Sequence, residues 1–388
     1  MKVKNINFFV LLVYLATVFA MLSSANSNIA MKAISLGIDV ILIVYAIISV
    51  GINCIILNLN RPIVIICAII LCANFCISPY EPRYALLLKY FGYFTIYIAG
   101  KHLASNGYNL LCSKTLLYIL TFTPLLAVAI LDKTDMKTTF FANSNVFVYM
   151  GLCISLFYMH LNGISQKQLC ITLVILSSYI LVGTSLGVIV ALMGSFLILN
   201  LKRVNLFFIL GLVVIAIFFV TFSNIAVAVR IRDTIAIYKA LDWYDWTHLS
   251  DISLYDLQQL VGASGAREDN TSSLWRIVQW TGLIKAYFTN FFNIPFGLGA
   301  DYTIAKTGLP PHNDHILILV EYGIIVYGAL FKGMINIYRK LQYSTIFYLI
   351  LAIFLYHFTE NLIDTFPPNC LFYFVLGFSA NVNKLKST

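Results

Sequence analysis

The sequence predicts an all-α polytopic membrane protein with about twelve transmembrane helices and one large, mostly helical loop on the outer side. Three observations predict it. Of 388 residues, 60% are hydrophobic and only 11% are charged, where an ordinary soluble domain carries roughly 45–50% and 25%. The mean hydropathy of +0.88 is spread along the whole chain, with apolar runs recurring from Phe8 to Ala380, so the pattern is many buried spans and not one anchor on a soluble body. Polar chemistry is concentrated in a single segment from about Asn224 to Pro311, which holds all four tryptophans and, with Asp314 at its exit, nine of the sixteen acidic residues.

The spans come first. A run of about 17–25 apolar residues crosses a bilayer as a helix, because lipid offers no partner to backbone amides. Such runs fall near 7–24, 33–57, 62–78, 84–100, 114–131, 146–161, 168–184, 186–201, 205–223, 313–331, 341–357 and 365–381. The chain thus divides into 1–223 with helices one to nine, 224–311 as the outer loop, and 312–388 with helices ten to twelve and a cytoplasmic C-terminus. Lys2 and Lys4 before an apolar run resemble a signal peptide, but the run is long for one and lacks a convincing cleavage site, so it reads as a helix.

Orientation follows from the basic residues of the short loops. With the N-terminus inside, thirteen Lys and Arg fall on the cytoplasmic side and only Lys32, Arg83, Lys133 and Lys137 outside. Both termini are therefore expected in the cytoplasm and the 224–311 segment outside. The net charge of +9 is what this bias gives any polytopic protein, and it names no acidic partner. Nucleic-acid binding and cytosolic catalysis are excluded by composition. The eight cysteines all lie in or beside apolar runs without Cys-x-x-Cys spacing and read as small membrane-core residues. No internal repeat or low-complexity stretch occurs.

A structureless loop as long as the outer segment would be unusual. Its patterning predicts helices near 226–247, 253–261 and 272–289, the last capped from Asn270-Thr271-Ser272.

Four signals within or beside this segment carry chemistry. Pro311-His312-Asn313-Asp314-His315 leads into an apolar run holding Glu321, Gly323 and Gly328, and places an imidazole where the chain re-enters the membrane. Imidazole ordinarily titrates near neutral pH, so it can act as a proton acceptor there; equally, His312 and His315 can be plain interfacial loop residues. A His-x-x-His zinc site lacks a convincing third ligand nearby. Trp275-Arg276 and Trp280 share one helical face: such an arginine can hold a phosphate bidentately while indoles stack on sugar rings, or the helix can simply lie at the membrane surface with its tryptophans in the interface. Pro295-Phe296-Gly297-Leu298-Gly299 is a glycine turn that permits close backbone approach. Arg230 and Arg232 stand just above the ninth span, as flanking cations or as partners of a lipid diphosphate. Within the membrane, Asp39 and Lys89 lie at similar depth in spans two and four and are expected to pair; a proton path is the other use for them. Glu321 and Glu360, near the outer face, could each orient a loop histidine or arginine.

In order and spacing these pieces resemble the O-antigen polymerase and O-antigen ligase superfamily of bacterial envelope glycosyltransferases. The resemblance is carried by Arg276 with Trp280, Pro295-Phe296-Gly297-Leu298-Gly299, His312-Asn313, Glu321 and Gly323; outside roughly 270–328 it is architectural only. It departs at Gly183-Thr184-Ser185-Leu186-Gly187, where ligases usually carry an arginine after the Thr-x-Ser turn. Leu186 cannot bind phosphate, which favours the polymerase.

The resemblance implies a fold like that of the GT-C glycosyltransferases in the bacterial inner membrane. It implies sugar transfer from undecaprenyl-diphosphate-linked glycans at the periplasmic face, with no cofactor, nucleotide sugar or metal. His312 and Arg276 are then the catalytic residues, with Arg230, Arg232 and Arg276 on the diphosphate. Trp243, Trp246, Trp275 and Trp280 hold the glycan, and Asn313, Glu321, His315, Gly297 and Gly299 support the site. Partners are the lipid-linked glycan, membrane lipid and a chain-length regulator protein, without nucleic acid. A ligase moving finished glycan to lipid A-core shares every motif, and a lipid-linked oligosaccharide flippase is the distant alternative.

Overall fold

Apolar runs that must satisfy their own backbone become helices, and the computed structural model shows only helices, turns and loops among the residues it describes. Those residues are 8–17, 29–80, 83–106, 118, 121–122, 144–162, 166–183, 185–200, 214, 217–218, 220–222, 226–252, 259, 272–341 and 346–380. The expected spans at 114–131 and 205–223, and the loop helix at 253–261, fall largely outside them.

Two described helices are long and apolar enough to cross a membrane, Ile29–Val50 through its Ala33–Val50 part and Asp314–Leu341; a third counts if Ile52–Leu59 and Pro62–Ile77, bent by 90°, form one span. The twelve spans read from the sequence are not recovered as such. One reason is length: Leu186–Asn200 and Ile346–Tyr356 have 15 and 11 residues, short of the roughly 20 that a bilayer core asks for. Another is interruption. The expected 33–57 span breaks at Gly51, whose φ of 82° no helix accommodates.

We number the helices α1 Phe8–Thr17, α2 Ile29–Val50, α3 Ile52–Leu59, α4 Pro62–Ile77, α5 Ala85–Ser105, α6 Ser144–Asn162, α7 Gln166–Gly183 and α8 Leu186–Asn200. There follow α9 Ala226–Ala240, α10 Trp243–Thr247, α11 Ser272–Tyr287, α12 Asn293–Phe296, α13 Tyr302–Thr307, α14 Asp314–Leu341, α15 Ile346–Tyr356 and α16 Phe366–Ser379. Contacts divide the chain into two units, one of Met1–Cys72, Arg83–Phe196 and Gly328–Thr388, the other of Ala73–Pro82 and Leu197–Tyr327.

In the first unit α5 and α16 cross with their backbones touching. A Cβ added at Gly100 would fall on the Phe374 carbonyl, and one at Gly377 on the Tyr97 carbonyl; small residues allow this approach where helices pack without a hydrophobic drive between them. The non-helical turn between α15 and α16 is satisfied by protein groups. Tyr93 OH donates to Ile363 O at 2.5 Å, Asn369 Nδ2 to Leu362 O at 2.7 Å and Lys89 Nζ to Asp364 O at 2.7 Å, while Arg83 pairs with the Asp364 carboxylate at 2.9 Å. The expected Asp39–Lys89 pair is not a direct salt bridge: the Lys89 ammonium joins the Phe366 N–H on the Asp364 carbonyl, and its charge acts on Asp39 through space. Asp39 is buried.

In the second unit α11 is the spine. Along it Leu274 packs with Ile237, Leu241 and Leu249, and Leu283 and Tyr287 pack with Val320. The helix expected over 226–247 is two helices, because Asp242 and Asp245 form a capping box that starts a new one: Asp245 N–H donates to Asp242 Oδ1 at 2.8 Å, and Asp242 N–H to Asp245 Oδ2 at 3.1 Å. Lys285 ties α11 to the turn after α10 through Asp251 at 3.0 Å. The tenth expected span, 313–331, is the longer α14, interrupted at Gly323 with φ 79° and ψ 174°.

Candidate functional site

The site is built on α11, the Pro295–Thr307 stretch and the entry of α14, all in the second unit. The entry is made by Asn313, whose side-chain oxygen accepts the Ile316 N–H at 3.0 Å, as an N-cap does. Just before it His312 takes a left-handed backbone with φ 47°, a conformation uncommon outside glycine. Two residues of α11 hold the loop that imposes it. Trp280 Nε1 donates to Pro311 O at 2.5 Å, and Gln279 Nε2 donates to Leu309 O at 2.9 Å and Thr307 Oγ1 at 2.6 Å. One turn earlier on the same helix, the Trp275 ring meets the half-buried His312 ring edge-on, centroids 5.9 Å apart. Arg276 follows Trp275 and is half-buried.

The glycine turn is joined to α14 by backbone alone. Gly323 leaves the helical conformation, so carbonyls one turn above it lose their usual amide donors; Leu298 N–H donates to Val320 O at 2.8 Å and Gly299 N–H to Glu321 O at 3.2 Å in their place. A Cβ at Gly297 would fall on the Glu321 carbonyl, and one at Gly323 on the Pro295 carbonyl. The Glu321 side chain, fully buried, reaches the start of α13: its Oε1 accepts Thr303 Oγ1 at 2.5 Å and Thr303 N–H at 3.2 Å. His315 is buried with its ring edge-on to Tyr327 at 5.8 Å.

Sequence reasoning missed the far side of this turn. Asn74 Nδ2 donates to Phe296 O at 2.9 Å, Ala300 N–H donates to Asn74 O at 3.3 Å, and Ser78 Oγ donates to Ala300 O at 2.8 Å. The signal available was one asparagine inside the apolar run of α4. Gln279 was missed as well, hidden between Arg276 and Trp280.

Other candidate residues lie apart from this arrangement or are engaged elsewhere. Arg232 Nη1 donates to the carbonyls of Val220 at 2.7 Å and Thr221 at 3.3 Å. Arg230 is on α9, and its side chain is outside the described residues. On α10, Trp243 is 82% exposed and Trp246 leans on the Tyr238 ring at 5.8 Å. Leu186 opens α8 in the other unit, beside Ser185, whose hydroxyl bonds Tyr356 OH at 3.0 Å.

Chemically, the arrangement offers a histidine held by α11 through Trp275 and the loop that Trp280 and Gln279 fix, with Arg276 on the same helix between the two indoles. Compared with known proteins, the chain matches no protein-family model and no curated protein.

Proposed function

We propose that the protein is a membrane glycosyltransferase that polymerises undecaprenyl-diphosphate-linked oligosaccharide repeat units, of O-antigen or a related surface polysaccharide, at the periplasmic face of the bacterial inner membrane. The observation that carries the reading is the contact of Trp275 with His312, which joins the Arg276 helix to a loop clamped by Trp280 and Gln279. The fuller architecture of the proposal has about twelve spans, with both termini in the cytoplasm.

In this mechanism His312 takes the proton of the acceptor sugar hydroxyl as its oxygen bonds to the anomeric carbon of the growing glycan. The bond from that carbon to the diphosphate oxygen breaks, and its electron pair leaves with the polyprenyl diphosphate. Arg276 meets the charge that develops there; a charge-assisted hydrogen bond of this type contributes about 1.5–3 kcal/mol, and a positioned base about 10²–10⁴ in rate. Trp280 positions His312 through Pro311, and Trp275 borders the ring. In this reading the exposed Trp243 and Trp246 hold the glycan, Arg230 meets the diphosphate, and a chain-length regulator protein acts on the polymer.

The test is glycan length in cells carrying variants expressed at wild-type level. Arg276→Ala and His312→Ala should each cut polymer by about 10²-fold or more, with Arg276→Lys a partial rescue because it keeps charge without the planar fork. Normal-length glycan from both alanine variants would overturn the assignment. A deletion strain should show lipid A-core capped by one repeat unit. Bare core with polymer left on its lipid carrier would make the chain a ligase, and repeat units trapped on the cytoplasmic leaflet would make it a flippase. For orientation, a thiol placed at Lys306 should label from outside and one at Lys167 should not; the reverse would invert the topology.

A further inference from the structure

Between Lys285 and Asp301 the chain runs fifteen residues without a charge, and the tip of this stretch turns four phenylalanines outward. Phe291 and Phe292 are 79% and 72% exposed, with Phe288 and Phe296 also exposed. The backbone beneath them is fixed. Phe292 N–H donates to Asn290 Oδ1 at 3.0 Å, Ile294 N–H to Phe291 O at 3.2 Å, and Tyr287 OH to Ile294 O at 2.5 Å. Outward aromatics on a well-bonded turn are a surface feature that needs an occupant, since an exposed cluster of this kind marks a protein or membrane contact.

Its placement selects the occupant. Phe296 is the first residue of the strip welded to α14, where Leu298 and Gly299 donate to Val320 and Glu321. Val320 and Glu321 lie six and seven residues past Asp314, about 9–11 Å along the helix axis, and α14 is long and apolar enough to cross a membrane. On the other flank the Phe296 carbonyl is taken by Asn74, inside the apolar helix α4. The first residue of α14 beyond the weld, Ile324, is itself an exposed apolar side chain, so the phenylalanine surface continues the one that α14 presents.

We propose that Phe288–Phe296 is a re-entrant element that dips into the outer leaflet and returns, with Phe288, Phe291, Phe292 and Phe296 against lipid acyl chains. Its irregular backbone is tolerated at that depth because every bond named above is made within the protein. The proposal rests on α14 crossing the membrane and is independent of glycosyl transfer.

The test uses the full chain in proteoliposomes, with its native cysteines replaced by alanine and one nitroxide at Phe291→Cys, Phe292→Cys, Ile324→Cys or Trp243→Cys. Accessibility to oxygen and to a water-soluble nickel chelate reads depth. Labels at 291 and 292 should favour oxygen, as at 324, while the label at 243 should favour nickel. Nickel access at 291 and 292 with oxygen access at 324 would overturn the re-entrant element and leave a face for a soluble partner. Nickel access at 324 as well would remove the membrane-crossing reading of α14 and the proposal with it. If the cysteine-free chain does not fold, Phe292→Trp in the native chain gives the same decision. Brominated lipids should quench the added emission, and unquenched emission refutes the dip.

Discussion

Three glycines in one stretch of chain separate space from conformation, and replacing each by alanine measures both. Gly323 has φ 79° and ψ 174°, a region essentially confined to glycine that costs an ordinary residue on the order of 1–3 kcal/mol. Its Cβ would also strike the Pro295 carbonyl, which is backbone held in the weld and cannot swing away; overpacking of that kind costs about 1–3 kcal/mol more. Gly308 has φ 76° with nothing within 4 Å of an added Cβ, so only the left-handed penalty of about 1–2 kcal/mol applies. Gly328 is helical and open, and alanine there gains about 0.5–1 kcal/mol from helix propensity. Graded unfolding of the purified variants in mixed detergent micelles should therefore rank Gly328→Ala at or above wild type, Gly308→Ala below it by about 1–2 kcal/mol, and Gly323→Ala lowest, by about 2–6 kcal/mol. Gly323→Ala equal to Gly308→Ala would mean that the turn and α14 are not in contact, and the account of the site would fail with it.

Trp280→Phe keeps the ring but leaves the buried Pro311 carbonyl without its donor, a loss of about 1–3 kcal/mol; it should shorten glycan by slowing turnover more than by weakening substrate binding, and unchanged glycan would refute the clamp. Asn369, which is fully buried, accepts Tyr149 OH at 2.5 Å and donates to Leu362 O. Asn369→Leu takes the acceptor from the buried Tyr149 hydroxyl, leaving it only His357 Nε2 at 3.5 Å, a loss of about 1–3 kcal/mol, so folded yield in detergent should fall, and a normal yield refutes the network. Hydrogen bonds from Lys285 and Ser250 hold the Asp251 carboxyl below its ordinary value of 3.8. Its contribution to stability is therefore complete above pH 3.8 and fades as pH falls through the lowered folded value. Because the pair is at the surface, Asp251→Asn should change neutral-pH stability little while flattening the acid limb of a pH-melting profile, and an unaltered acid limb counts against the linkage.

How much was legible follows from what a sequence pattern encodes. Gly297, Gly299, Glu321 and Gly323 drew notice because glycine and proline mark places where backbone must come close, and backbone does come close there. The pattern does not encode the partner. Asn74 and Ser78 meet the turn from 222 residues away in sequence, and no periodicity links them to it. Apolar periodicity placed most helices within a few residues, yet it could not show that Asp242 and Asp245 restart one or that Gly51 ends another. Charge pairing was legible in part. Lys89 does act on the buried Asp39 carboxyl through its charge, but its hydrogen bond goes to a carbonyl in the turn between α15 and α16, which no depth or sign pattern shows.

The same geometry changes what the motif residues mean. Leu298 and Gly299 donate backbone bonds to Val320 and Glu321, Glu321 reaches on to Thr303, and Asn313 caps α14. These residues form one mechanical piece, and a substitution in any of them displaces the others before it touches chemistry. Activity lost at Glu321 or at a glycine therefore identifies the scaffold and not a reacting group. Arg276 and His312 differ because each ends in a half-buried side chain outside that piece, Arg276 on α11 and His312 just before the Asn313 cap. His312 is aimed by a left-handed backbone that Trp280 and Gln279 hold from α11. A positioned imidazole needs this kind of stiffness, since misplacement by about 1 Å in an active site costs on the order of 10²-fold in rate. Under the proposed glycosyl transfer, the glycines, the clamp and the cap have one physical consequence in common: they hold the backbone that sets the direction of the His312 ring.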